Sequence, residues 1–284
     1  SGASEINELT DALIEGTGSM YVGNDPSSTT DGADYNVAVG TTALDAITTG
    51  DNNVAVGYDA LTTNNTGQEN VAVGYNALAT NSTGSYNTAT GYKALEANTS
   101  STFNTALGYQ SMLSTSTGGS YNTGVGARSL ETNTTGDNNT AVGVLSLYKN
   151  STGDDNTAVG RDALLGITTG AGNVAIGFMS LYSTINGSNN TAIGYMSLHD
   201  NIDGNNRTGL GYFSNSLGTD YDNSMGLGYN ADPTAANTVY IGNTSIISIK
   251  GQVGFTTFSD ARFKKNINDP TSVKNRLFRV FVLF

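Results

Sequence analysis

From residue 36 onward the chain alternates large apolar and small residues over five positions, turns polar, and then repeats. Asn36-Val37-Ala38-Val39-Gly40 is the first such window. Its closing glycine recurs every seventeen residues at Gly57, Gly74, Gly91 and Gly108. One step of eighteen, near Gly118-Gly119, leads to Gly126. Steps of seventeen then carry the pattern through Gly143, Gly160, Gly177, Gly194, Gly211 and Gly228. Period-two alternation over a few residues marks a short strand. Each window is followed by an apolar pair, such as Ala43-Leu44, Ala60-Leu61, Ala77-Leu78 or Ala94-Leu95, and then by a polar stretch such as Thr62-Thr63-Asn64-Asn65-Thr66-Gly67. The pattern predicts two strand-like pieces and two turns per repeat.

One such unit cannot bury Val37, Val39 and Leu44 by itself. Stacked units can, with each valine on the valine of the next coil and strand hydrogen bonds running between coils. The predicted fold is therefore all-β, a parallel β-roll or β-solenoid of about twelve 17-residue coils with short helical or irregular ends. At roughly 4.8 Å per coil, the coils make a rod of about 55 to 60 Å. The recurrent glycine fits a sharp turn after the strand, where positive φ is free only to glycine. The asparagine at the strand entrance (Asn36, Asn53, Asn70, Asn87, Asn104, Asn122, Asn139, Asn156, Asn173 and Asn190) can bond its own turn or stack on the asparagines above and below. Arg207 and Ser224 take its place near the end, as expected of capping coils.

Composition supports this picture. Gly is 36 of 284 residues, Pro only 3, Cys and Trp are absent, and charged residues are 13%. The regular Val, Ile, Leu and Ala argue for polar turns around a thin core rather than for disorder. Residues 1–249 hold 22 acids and 5 bases, whereas residues 250–284 hold 2 acids and 7 bases. An acidic body is a poor partner for nucleic acid, which calls for clustered Lys and Arg. The lack of cysteine excludes disulfides and thiolate metal sites, and no apolar run has the length of a membrane span. Ser1-Gly2-Ala3-Ser4 is not a signal peptide, and the chain reads as processed or cut from something longer.

An aromatic residue follows the glycine in many coils: Tyr58, Tyr75, Tyr92, Tyr109, Tyr195, Tyr212 and Tyr229, with Phe178 in one. This row packs between coils or subunits, or faces solvent and binds sugars, and it is the candidate binding surface. The unit Asn-Val-Ala-Val-Gly-Tyr-x-Ala-Leu resembles the head repeats of trimeric autotransporter adhesins, the YadA-like left-handed parallel β-roll, and repeats in tail-fibre and surface proteins. The resemblance covers about residues 33–230, and the family's own repeats are shorter. It implies a homotrimer with small residues at the shared axis, and attachment to host matrix, cell surfaces or glycans.

The flanks define the remaining segments. Residues 1–32 read as a stalk-like or capping segment, with Ile6, Leu9 and Leu13 at helical spacing. Residues 33–230 are the solenoid head, and 231–257 a terminal irregular coil opened by Thr238-Val239-Tyr240-Ile241-Gly242. Residues 258–284 carry Ser259, Asp260, Arg262, Lys264, Asn266 and Ile267. That motif resembles the opening of the self-cleaving intramolecular chaperone of phage tailspikes. Carried over, Ser259 is the nucleophile, Lys264 its base and Phe258–Ser259 the bond cut. A lysine takes a proton only when neutral, which burial beside Arg262 and Lys265 favours. The segment is too short for a whole chaperone, so a truncated or vestigial cap is the favoured reading of it.

Other chemistry is weak. His199 is the only histidine and reads as structural or solvated. The acidic turns Gly50-Asp51-Asn52, Gly136-Asp137-Asn138 and Gly153-Asp154-Asp155 lack the spacing of calcium β-rolls, so no metal and no cofactor is expected. No carboxylate pair stands out as glycosidase-like. Thr48-Thr49 and Thr168-Thr169 are not kept in every coil, which argues against an ice-binding array. The function expected is an extracellular fibre or adhesin segment, on a cell surface, virion or injection device, that contacts a glycan or protein receptor. A self-polymerising structural filament and a self-cleaving fibre precursor are the alternatives.

Overall fold

A computed structural model describes residues 12–14, 18–23, 32–216, 218 and 220–248. The chain divides into two compact units, residues 1–241 and 242–284. The first is a β-solenoid. Among the described residues fifteen three-residue strands form one sheet in chain order, with no helix. The first strand, β1 (Ala12–Ile14), runs antiparallel to β2 (Met20–Val22). Every later pair is parallel, from β3 (Val37–Val39) through β14 (Met225–Leu227) to β15 (Val239–Ile241). Register is one coil per step, for example Thr140↔Thr157↔Val174. Leu13, expected on a helix, lies in β1 instead, whereas Ile6 and Leu9 fall outside the described residues. In the second unit the described residues form a short turn, in which the Asn243 carbonyl accepts from the Ile246 amide at 3.1 Å.

Each coil has one strand, not two: the Ala-Leu pair lies in a turn. The strand also faces the other way from the expected burial of Val37 and Val39. Ala38 is fully buried, whereas Val39 is 36% exposed, and the middle residue is the buried one in every strand from β3 to β14. The reason is room. The coil is so thin that the strand's inner face abuts the turn carrying Ala43 and Leu44, and only Ala or Gly fits at the middle. Where that residue is Gly124, an added Cβ would stand 2.7 Å from the Ser111 hydroxyl.

The core is a set of columns that run the length of the solenoid. The leucine column from Leu44 through Leu61, Leu78, Leu95, Leu130, Leu147, Leu164 and Leu181 to Leu198 is fully buried, with Met112 in one coil. Each such burial is worth roughly 1.5–3 kcal/mol. These leucines adopt left-handed backbone, with φ 50–53°, which costs about 1–2 kcal/mol per residue. The conformation is held because the leucine amide is aimed along the stack: Leu147 N–H donates to Ala163 O at 3.0 Å and Leu164 N–H to Ser180 O at 3.0 Å.

The strand-entrance asparagines form a buried ladder with every polar atom engaged. Asn139 Nδ2 donates to Gly153 O at 2.9 Å, and its Oδ1 accepts from the Asn156 amide at 3.0 Å. A second buried ladder (Asn64, Asn81, Asn98, and again Asn133 and Asn150) donates to the same turn carbonyls from the other side, as Asn64 does to Gly67 O at 2.8 Å and Asn98 to Ser101 O at 3.2 Å. Where Thr115 and Ile167 interrupt it, Asn98 Oδ1 and Asn150 Oδ1 are left without a partner. Arg207 ends the first ladder. Its amide donates to Asn190 Oδ1 as the last rung, and its buried guanidinium donates to Asn201 Oδ1 and Asn215 Oδ1, both at 2.7 Å. Burial pushes the Arg207 pKa down, against the pull of Asp220, Asp222 and Asp232.

Candidate functional site on the outer columns

Because the small residue faces inward, the larger strand residues face out. The first and last strand positions build two parallel outer columns. One runs Val37, Val54, Val71, Thr88, Thr105, Thr123, Thr140, Thr157, Val174, Thr191, Thr208 and Met225; the other ends each of the same strands in Val, Thr, Ile or Leu. No charged residue occupies either column from β3 to β14. Val142, Val159, Ile176, Ile193 and Leu210 are each more than a third exposed.

The tyrosine row borders this face and divides into two stacked ladders. Tyr58, Tyr75, Tyr92 and Tyr109 stack at 5.3–5.4 Å between centroids, within 10° of parallel. Phe178, Tyr195, Tyr212 and Tyr229 form the second, at 5.1–5.6 Å. The rings thus cover one another's faces and show solvent their edges. A sugar that stacks on an aromatic residue needs a free face, and only the ends of a ladder offer one.

A second aromatic row, not singled out in the sequence, flanks the opposite end of the strands: Tyr86, Phe103 and Tyr121 stack at 4.7 and 5.1 Å. Each precedes a ladder asparagine, and that adjacency is the signal that could have found it. His199 stacks on Tyr182 at 5.2 Å, and its Nδ1 lies 2.6 Å from Asp200 Oδ1, a structural arrangement.

Three cations of the solenoid, Arg128, Lys93 and Arg161, pair with neighbouring carboxylates. Arg128 is held by Glu131, donates to the Tyr148 hydroxyl at 2.8 Å and covers that ring at 4.8 Å. Its hydrogen bond to Glu131 raises the guanidinium pKa, with burial opposing. Lys93 is likewise raised, by its bond to Glu96 at 3.0 Å. Arg161 Nε contacts Asp162 at 3.1 Å.

The acidic turns have a structural task. Asp51, Asp137 and Asp154 each accept, through Oδ1, a backbone N–H of the preceding coil, from Asp34, Ser120 and Asp137 at 2.7–2.8 Å. Ser85, Ser188 and Asn205 do the same elsewhere in that column, so the place calls for an acceptor rather than a charge. Ser259 and Lys264 lie outside the described residues, as does the whole chaperone-like motif. No helix among the described residues is long and apolar enough to cross a membrane.

No family model matches the chain, and no curated protein matches it. Among solved structures it is similar to the collagen-binding domain of the Yersinia adhesin YadA. The two are 18% identical over 89% of this chain and 93% of that one, with a TM-score of 0.21. A superposition that loose carries no argument; the solenoid rests on its own strand register and ladders.

Proposed function

We propose that this chain is a segment of an extracellular attachment fibre in which copies associate, as a homotrimer, through the uncharged outer face of the sheet. The observation that carries the reading is that face. It runs in register through twelve coils, it is free of charge on an otherwise acidic solenoid, and it is exposed in the single chain. At roughly 4.8 Å per coil it measures about 58 Å by about 10 Å, the scale at which exposed apolar patches mark interaction surfaces. Polar turns on the remaining sides keep such an assembly soluble and leave loops and ladder ends for a receptor, a cell-surface glycan or protein.

Repeated, stacked side chains suit a scaffold, and recognition then rests on the few places where the repeat is broken. The test is assembly. Glutamate at both Val142 and Val159 places like charges on the face without touching the core, and the double variant is expected to be a folded monomer. An unchanged oligomer would sink the proposal that this face is the interface.

A further inference from the structure

The aromatic row is interrupted over three successive coils, where Ala127, Val144 and Arg161 take the ring's place. On one side stands Tyr109. One of its faces lies on Tyr92 at 5.3 Å; the other is turned toward Ala127, whose methyl is too small to cover it. On the other side the Arg161 guanidinium stands over the end ring of the second ladder, 5.9 Å from the Phe178 centroid. Three coil steps separate Tyr109 from Arg161, about 14 Å, with half-exposed Val144 between them. That is room for about two linked saccharide residues, one stacked against Tyr109 and its neighbour at the guanidinium.

Bases are enriched in the same coils. Of the five bases in residues 1–249, Arg128, Lys149 and Arg161 fall in these coils. Arg161 pairs through Nε with Asp162, and its side chain is 67% exposed. Arg128, next to Ala127, has Nε and Nη2 engaged by Glu131 and Tyr148, which leaves Nη1. A free aromatic face takes the C–H face of a pyranose, and a guanidinium binds a carboxylate with two parallel hydrogen bonds.

We infer that the break in the ladder is a saccharide subsite selective for a carboxylate-bearing pyranose, a uronic or sialic acid residue of a larger glycan. The inference deepens the attachment reading and rests on it only for its setting. Tyr109 supplies the stacking face, Val144 the apolar floor and Arg161 the carboxylate contact, with Arg128 as a second donor.

Calorimetric titration of the full chain tests this with two matched pairs of probes, oligogalacturonate against its methyl ester and N-acetylneuraminyl-lactose against lactose. At least one carboxylated probe is expected to bind, with its neutral counterpart about tenfold weaker or worse. Arg161→Gln is expected to lose about the same factor. Ala127→Tyr extends the first ladder over Tyr109 and is expected to abolish binding while leaving mass and thermal midpoint unchanged. No binding of either carboxylated probe, equal binding of charged and neutral probes, or wild-type binding by Ala127→Tyr would each overturn the inference. These outcomes are separable from the assembly reading: a trimer that binds neither acid loses the subsite alone, and a monomer that binds one loses the trimer alone.

Discussion

At the scale of single residues, the solenoid depends on side chains too small or too specific to replace. Asn139 joins three parts of the stack: its own strand entrance, the Gly153 carbonyl and the Asn156 amide. Asn139→Ala leaves the buried Asn156 amide without its acceptor, at about 1–3 kcal/mol, while the Gly153 carbonyl keeps its bond from Asn150. Urea unfolding is expected to show a loss of about 1–3 kcal/mol; a loss under about 0.5 would mean that water replaces the amide. Gly143 is constrained twice. Its φ is +136°, and a Cβ there would stand 2.5 Å from Gly160 O. Gly143→Ala is expected to lower stability by at least about 2 kcal/mol through left-handed strain and displacement of the neighbouring coil. The reverse case is Gln110, a non-glycine residue at φ +52° on the surface. Asparagine tolerates that region better, so Gln110→Asn is expected to be neutral or to raise the thermal midpoint by a degree or two.

At the scale of the coil, the sequence shows the period and the ladder but not the direction of the faces. Seventeen-residue spacing, the strand in each window and the break of the asparagine row at Arg207 were legible, and stacking of Asn36 through Asn190 was one of the two readings the row allowed. The inward face was not. Alternation says that Val and Ala point to opposite sides, and hydrophobicity alone assigns Val37 and Val39 to the core. The deciding quantity is the width of the coil, which lets the turns bury Leu44 and Ile47 but leaves the strand room only for Ala38, and width is not written in a local pattern. The left-handed leucines were hidden for a related reason: propensity assigns that backbone to Gly and Asn, and stacked amide–carbonyl bonds override it. The tyrosine row was visible as a row. That its rings cover one another, and so leave a usable face only at Tyr109 and the other ladder ends, depends on coil spacing, which only the structure gives. The exposed outer columns carry a prediction at this scale. With Val142 and Val159 both changed to glutamate, circular dichroism is expected to match the wild type, because both residues already face outward. A collapsed spectrum would mean that the valines are part of the core after all.

At the scale of the molecule, a stack of similar coils buries a thin core and leaves the uncharged Val, Thr, Ile and Leu of the strands outside. That surface is what the attachment reading turns to use: copies bury it against one another, and the acidic turns face solvent. The assembled mass is therefore the most direct measure of whether this face is an interface. Light scattering on the purified chain at neutral pH is expected to give three times the 29.3 kDa chain mass, with the Val142→Glu, Val159→Glu double variant falling to a single chain. A wild type that runs as a 29.3 kDa monomer at micromolar concentration would contradict the account, since the outer face would then be a finished surface and not an interface.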